Sequence, residues 1–177
     1  TDKAAVESAR NKDASAQATL AESDRIQQEQ VKLVQAGRHA EAKKIDPSVF
    51  VNARIAPAMF PLARQVQIAT DHAKGASARL AGVDVPSYAD TETTFAELQA
   101  RIAKTVDFIK NLKPAQFDGG LDRNVTLKIA GQAMSWKGGV YLHQFALPNF
   151  YFHVTAAYAI LRHNGVEVGK RDFLGSF

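Results

Sequence analysis

Apolar side chains recur at helical spacing from Pro61 to Ala81: Leu62, Val66, Ala69, Ala73, Ala76 and Leu80 share one face. Gly82 follows at the position that ends many helices, so the pattern predicts a helix over 61–81. A second stripe runs through Phe95, Leu98, Ile102, Val106, Ile109 and Leu112. It is preceded by Thr94-x-x-Glu97, the capping-box pattern, with Asp90 and Thr91 as alternative caps, and stopped by Pro114. A third pattern, from Tyr141 to Asn164, ends at Gly165 and contains Pro148, which predicts a kink. From Leu20 to Lys44 the chain holds strong helix formers and no Pro, with a thin stripe of Leu20, Ile26, Val31, Leu33 and Val34.

Elsewhere the period changes. Asp46-Pro47 reads as an N-cap and first-turn proline of a short helix through Val51. Val125, Leu127 and Ile129 alternate with Thr126 and Lys128, and Ala130-Gly131-Gln132 reads as a turn. A β-hairpin is therefore predicted over 124–137. The tail from Val166 to Phe177 reads as irregular. Residues 1–19 are polar and nearly free of large apolar side chains, which predicts a frayed tail or a solvated helix. The expected fold is all-α: an antiparallel four-helix bundle over 20–177, a single domain, with a small β-hairpin before the last helix.

Composition narrows the classes. At 177 residues and 46% hydrophobic, the chain suits one domain with a real core. No apolar run is long enough for a membrane span, and Thr1–Gln17 has no apolar segment of a secretory signal. The expectation is a cytoplasmic protein without a membrane partner. The absence of cysteine excludes disulfides, thiolate metal sites and a Cys nucleophile. The net charge of +4 is spread along the chain, with only Lys170–Arg171 resembling a patch, so no nucleic-acid partner is expected.

The last long helix carries the candidate chemistry. Leu142, Phe145, Ala146, Asn149, Phe152, His153, Ala156 and Ile160 form one stripe, in which Asn149 and His153 stand at i and i+4. His72 lies at the edge of the alanine-rich stripe of the second long helix. If those helices are neighbours, His72, Asn149 and His153 converge, and two imidazoles with an amide oxygen suit a divalent transition metal. The alternative is structural: His153 and Asn149 hydrogen-bond internally, Asn149 satisfying the backbone around Pro148. His39, His143 and His163 read as structural or surface residues, and Arg64, Gln67 and Asp71 as a solvated polar line. No serine-hydrolase elbow or phosphate-binding loop is present. Phe150, Tyr151 and Phe152 cannot all face one core, since successive helical positions are ~100° apart, which points to a homodimer surface.

Several strings resemble a bacterial and fungal family without an assigned activity. They are Ala56-Pro57-x-Met59-Phe60-Pro61-Leu62, Gln65-Val66-Gln67-Ile68-Ala69, Asp90-Thr91-Glu92-Thr93-x-Phe95-x-Glu97-Leu98, Leu147-Pro148-Asn149-Phe150-Tyr151-Phe152-His153 and Leu161-Arg162-His163-Asn164-Gly165. Gly169-Lys170-Arg171-Asp172-Phe173-Leu174-Gly175 completes the set. The family is placed in the DinB/YfiT-like superfamily, which implies a four-helix bundle, often dimeric. Many members carry nickel or zinc held by three histidines, and some are thiol-dependent S-transferases or isomerases. In the superfamily one ligand comes from the second helix and two from a His-x-x-x-His on the fourth. Here Asn149-x-x-x-His153 stands in that place, with His72 as the second-helix candidate. The resemblance thus implies a homodimer and either a divalent metal or none, with a pocket for a small-molecule ligand between the second and fourth long helices; the alternative is a non-catalytic dimeric bundle acting as a scaffold or a binder of a small apolar ligand without metal.

Overall fold

In the computed structural model the backbone is described for residues 2–175 and the side chains for residues 14–175. The four long helices are α1 (Asp2–Lys43), α3 (Leu62–Ala81), α4 (Phe95–Lys110) and α6 (Leu147–His163). The short α2 (Pro47–Val51) follows α1, and a 3₁₀ turn (Pro114–Phe117) follows α4. The hairpin β1 (Asn124–Ile129) and β2 (Gln132–Lys137) leads through α5 (Gly138–Tyr141) and a π-helical turn (Leu142–Ala146) into α6. The short helix α7 (Lys170–Leu174) ends the described chain. α3 is central, packing on α6, α4 and α1, while α1 packs along α4. Among the described residues no helix is long and apolar enough to cross a membrane.

Local chemistry explains the boundaries. Ser48 N donates to Asp46 Oδ1 (2.8 Å) at the start of α2. The Thr94 hydroxyl accepts from Glu97 N (3.2 Å) while Glu97 Oε2 accepts from Thr94 N (3.0 Å), a closed capping box. Gly82 ends α3 in the left-handed region (φ 70). β1 and β2 pair in antiparallel register, Asn124 opposite Lys137 and Ile129 opposite Gln132. The two-residue turn has positive φ at Ala130 (48°) and Gly131 (85°), which matches the twist of the strands. The base of the hairpin presses on the connection that precedes it: a Cβ at Gly138 would sit 2.0 Å from the Gly120 carbonyl oxygen. Only glycine allows that approach, and it lays Trp136 over Tyr141 and Phe145.

The structure decides or revises several of these expectations. Residues 2–19 belong to α1, a 42-residue helix, which is the helical one of the two alternatives. The buried face of α1 is not the expected stripe. Ile26, Leu33, Ala36 and Ala40 point inward, with Thr19, Glu22, Ser23, Glu29 and Lys32 among them. Leu20 and Val31 are about half exposed (53% and 49%), and Val34 lies at the edge. The inward series 19–22–26–29–33–36–40 repeats every three or four residues, so it forms one continuous helical face, which takes in Glu22 and Glu29 and leaves Leu20, Val31 and Val34 off it. The last long helical run begins at Gly138 and widens into the π turn Leu142–Ala146 shortly before Pro148. Finally, the tail is not wholly irregular. Gly169 N donates to Asp172 Oδ2 (2.7 Å) and opens α7, whose Phe173 packs edge-on against Tyr158 (5.7 Å).

Polarity inside α1 has a cost. Lys32 and Glu29 form a buried ion pair. Neither carboxyl oxygen of Glu22 has a hydrogen-bond partner among the described residues, and burial pushes its pKa up to about 8. The unfolded chain releases that proton near the ordinary carboxylate value of 4.5. Between pH 4.5 and 8 the folded state therefore holds the extra proton, and stability falls as pH rises through that window. Glu22→Gln is expected to be more stable than the parent at pH 8 by roughly 2–4 kcal/mol, at ~1.4 kcal/mol per pKa unit, and nearly equal at pH 5. Chemical denaturation at both pH values checks this. Equal stability at pH 8 would mean the carboxyl is solvated.

Candidate functional site

Gln65, Ala69, His72 and Ala76 are spaced so that they share one face of α3, and His153 lies across from it on α6. The structure brings the two expected histidines together: the His72 and His153 rings are near parallel (14°), with centroids 6.0 Å apart. His153 is 9% exposed and His72 is partly buried. Both imidazoles are held neutral. Burial, reinforced by the field of His153, lowers the pKa of His72 to about 4, with Asp71 partly opposing. Burial and then the Arg64 guanidinium lower that of His153.

The tautomer of His153 follows from a residue the sequence reading passed over. His153 Nδ1 lies 2.7 Å from Gln65 Oε1. Gln65 is buried, and its Nε2 donates to the Phe60 carbonyl (3.1 Å), which fixes the amide's orientation. Oε1 can only accept, so Nδ1 carries the proton and Nε2 keeps its lone pair. Polar second partners orient metal-binding imidazoles in this way. Gln65 stands two turns before His72 on the same face, and that spacing was the signal available.

Asn149 is placed differently. Its Nδ2 donates to the Phe145 carbonyl (2.7 Å), the backbone group of the widened turn. That is the structural alternative for Asn149, and it leaves Oδ1 as the free donor atom. Among the described residues no group of three or more His, Cys, Asp or Glu is arranged to hold a metal ion. The nitrogen donors are the two imidazoles alone. An aromatic row borders them: Phe145 lies 5.8 Å from His72, Trp136 5.6 Å from Phe145, and Phe152 stands edge-on to His153 at 5.2 Å.

The remaining candidates are settled by their contacts. His39 sits edge-on to Phe50 (5.8 Å), and His143 and His163 are exposed. Arg64, Gln67 and Asp71 are not a merely solvated line. Arg64 pairs with Asp90, Gln67 Nε2 donates to Glu92 Oε2 (3.0 Å), and Asp71 Oδ1 accepts from Arg101 Nη2 (2.8 Å). Arg101, buried on α4, also reaches Thr70 Oγ1 (2.7 Å), the Ala89 carbonyl (3.0 Å), Asp90 (3.0 Å) and Glu92 (3.1 Å). It fastens the loop between α3 and α4 to both helices, a role no spacing rule revealed.

The suppressed His72 pKa has a consequence for acid stability. Unfolded, His72 titrates at its ordinary 6.5; folded, at about 4. Between those values the unfolded chain holds the extra proton, so stability is lost as pH falls through the window. His72→Asn is expected to lose roughly 1–2 kcal/mol less than the parent between pH 7 and 4.5. Urea midpoints at the two pH values measure the difference, and identical losses would place a charged His72 in the native state.

A family model described as Domain of unknown function (DUF1993) matches residues 12–174. The chain is similar to a crystal structure of a DinB family member protein from Shewanella denitrificans, at 40% sequence identity and a TM-score of 0.84 over 90% of each chain. No curated protein matches it. With the fold, these matches establish that the chain belongs to the DUF1993 family, within the DinB-like superfamily of helical proteins.

Proposed function

We propose that the facing imidazoles of α3 and α6 bind a divalent transition metal through His72 and His153, with the Asn149 amide oxygen as a weaker third donor. One observation carries this: two neutral imidazoles stand side by side, and the Gln65 hydrogen bond keeps the Nε2 lone pair of His153 free. Imidazole nitrogen with an amide oxygen suits nickel or zinc better than calcium or magnesium. A bound ion would supply Lewis acidity, polarising an oxygen or sulfur ligand in its open positions. The protein's own contribution is orientation. Phe60 fixes Gln65, Gln65 fixes His153, and Phe145 and Phe152 shield the rings from water on two sides.

Calorimetric titration of the untagged, chelator-treated protein with Ni²⁺ or Zn²⁺ tests the assignment. One ion per chain is expected. His153→Ala should abolish binding, and Gln65→Ala should weaken it by roughly 10–100-fold, as loss of an orienting partner does. Undiminished binding by a folded His153→Ala variant would instead favour the metal-free alternative, in which His153 serves only as the partner of Gln65.

We further propose that the chain is a homodimer through the outer face of α6. Phe150 is buried and Tyr151 half-buried, but Phe152 is 58% exposed. It borders an apolar groove formed with Ile55, Met59, Pro148 and Ala156. A ring protruding beside an apolar groove is self-complementary about a twofold axis. Phe152→Glu is expected to convert dimer to monomer in sedimentation velocity at micromolar concentration. A parent protein already monomeric at high micromolar concentration would overturn the assignment.

A further inference from the structure

α3 carries three cations, and two of them have carboxylate partners: Arg64 pairs with Asp90, and Lys74 with Asp71 (2.6 Å). The third, Arg79, has none among the described residues. Its position is nonetheless built. Arg79 lies two turns beyond His72 on the same face, and side chains on a helix lean toward its N-terminus. Arg79 follows that lean over Gly75, where a Cβ would come within 2.4 Å of Arg79 Nη1. Only the missing side chain at Gly75 lets the guanidinium lie along the helix toward His72. It is near enough that its charge opposes protonation of the His72 ring.

A fixed post holds it there. Nη1 donates to the Tyr141 hydroxyl (3.2 Å), and the guanidinium carbon is 5.9 Å from the centre of the Tyr141 ring. Tyr141 is 1% exposed and packs against Trp136 (6.4 Å) and Phe145 (6.0 Å), so it cannot swing away. That partner is neutral, so among the described residues the charge is positioned without being neutralised. The Nε and Nη2 donors have no hydrogen-bond partner among the described residues. That free edge matches the two oxygens of a carboxylate or a phosphate. Glu22, the carboxyl whose field reaches Tyr141, is not paired with it, since both its oxygens lack hydrogen-bond partners.

We propose that Arg79 is the anion-recognition residue on this face of α3, and that the ligand is a small oxyanion-bearing molecule whose charged group takes the free guanidinium edge while its other end lies at the imidazoles. This rests on the reading of His72 and His153 as the ligand site. The ligand class is set by Arg79, Gly75 and Tyr141; the metal, by the histidines.

Trp136 is the only tryptophan and lies against Tyr141 and Phe145, so its fluorescence reports events beside Arg79. The test titrates the full chain with sodium acetate or inorganic phosphate, ionic strength held constant with NaCl. A saturable change in Trp136 emission is expected for at least one of the two; which one responds identifies the oxyanion. Arg79→Ala should weaken that response at least tenfold. Gly75→Ala, which keeps the charge but displaces the guanidinium and favours the helix, should weaken it comparably. Ni²⁺ affinity should be unchanged in both variants, so a failure of metal binding and a failure of anion binding are read separately. No saturable response beyond the NaCl control, or equal anion affinity in parent and both folded variants, would overturn the assignment.

Discussion

The hydrogen bond from His153 to Gln65 crosses the broad contact between α3 and α6, and the site depends on it. Alanines at 69, 73 and 76 on α3, and at 156 and 157 on α6, are buried and small, so backbones can approach closely around it. In such a contact an amide and an imidazole are tolerated only because each satisfies the other. The constraint continues outward. Gln65 is held by the Phe60 carbonyl, at the end of a loop that Leu62 N ties to the Ala53 carbonyl (3.0 Å). The protonation state of one imidazole nitrogen is thus set by the conformation of a surface loop.

On the other side of α3 the balance is less comfortable. α1 buries a lysine and two glutamates alongside Ile26 and Leu33. A buried ion pair such as Glu29–Lys32 brings little net stability by itself, since desolvation offsets attraction. The C-terminal helix compensates. Phe173 lies 5.0 Å from the Lys32 ammonium and 5.5 Å from the Arg25 guanidinium, and its carbonyl accepts from Arg25 Nη1 (3.1 Å). A five-residue helix far along the chain thereby helps keep a polar stretch of the first one in place.

What the sequence made legible was local. The Thr94–Glu97 box, the α3 stripe and the Gly82 terminus all depend on neighbours within a few residues, and each appears as read; the hairpin turn is one residue tighter than read, because Gln132 pairs with Ile129 in β2. The His72–His153 pairing needed only the assumption that two helices adjoin. What stayed hidden depends on distant partners. Gln65 and Arg101 look like ordinary polar residues until Phe60, Asp90 and Glu92 are brought beside them. The register of α1 was only half legible because apolar content was taken to mark the buried face: Ile26 and Leu33 are buried as read, but Glu22, Glu29 and Lys32 take the positions beside them. α7 is too short to show a period, and only the structure shows the duty of Asn149 beside Pro148, its amide donating to the Phe145 carbonyl.

That duty points to the π turn over Leu142–Ala146. A turn of this kind accommodates one residue more than an α-helical turn of the same rise. Pro148 follows it directly and has no N–H to return to Gln144, so the widened turn falls where the regular ladder is already broken. Phe145, Tyr141 and Trp136 all lie on the N-terminal side of Pro148 and His153 on the C-terminal side. A single-residue deletion there would restore the common ladder and rotate the hairpin and its aromatic wall by ~100° relative to His153. The spare residue therefore acts as an indexing tooth: it sets the angle at which two otherwise separate pieces of the molecule meet around the imidazoles.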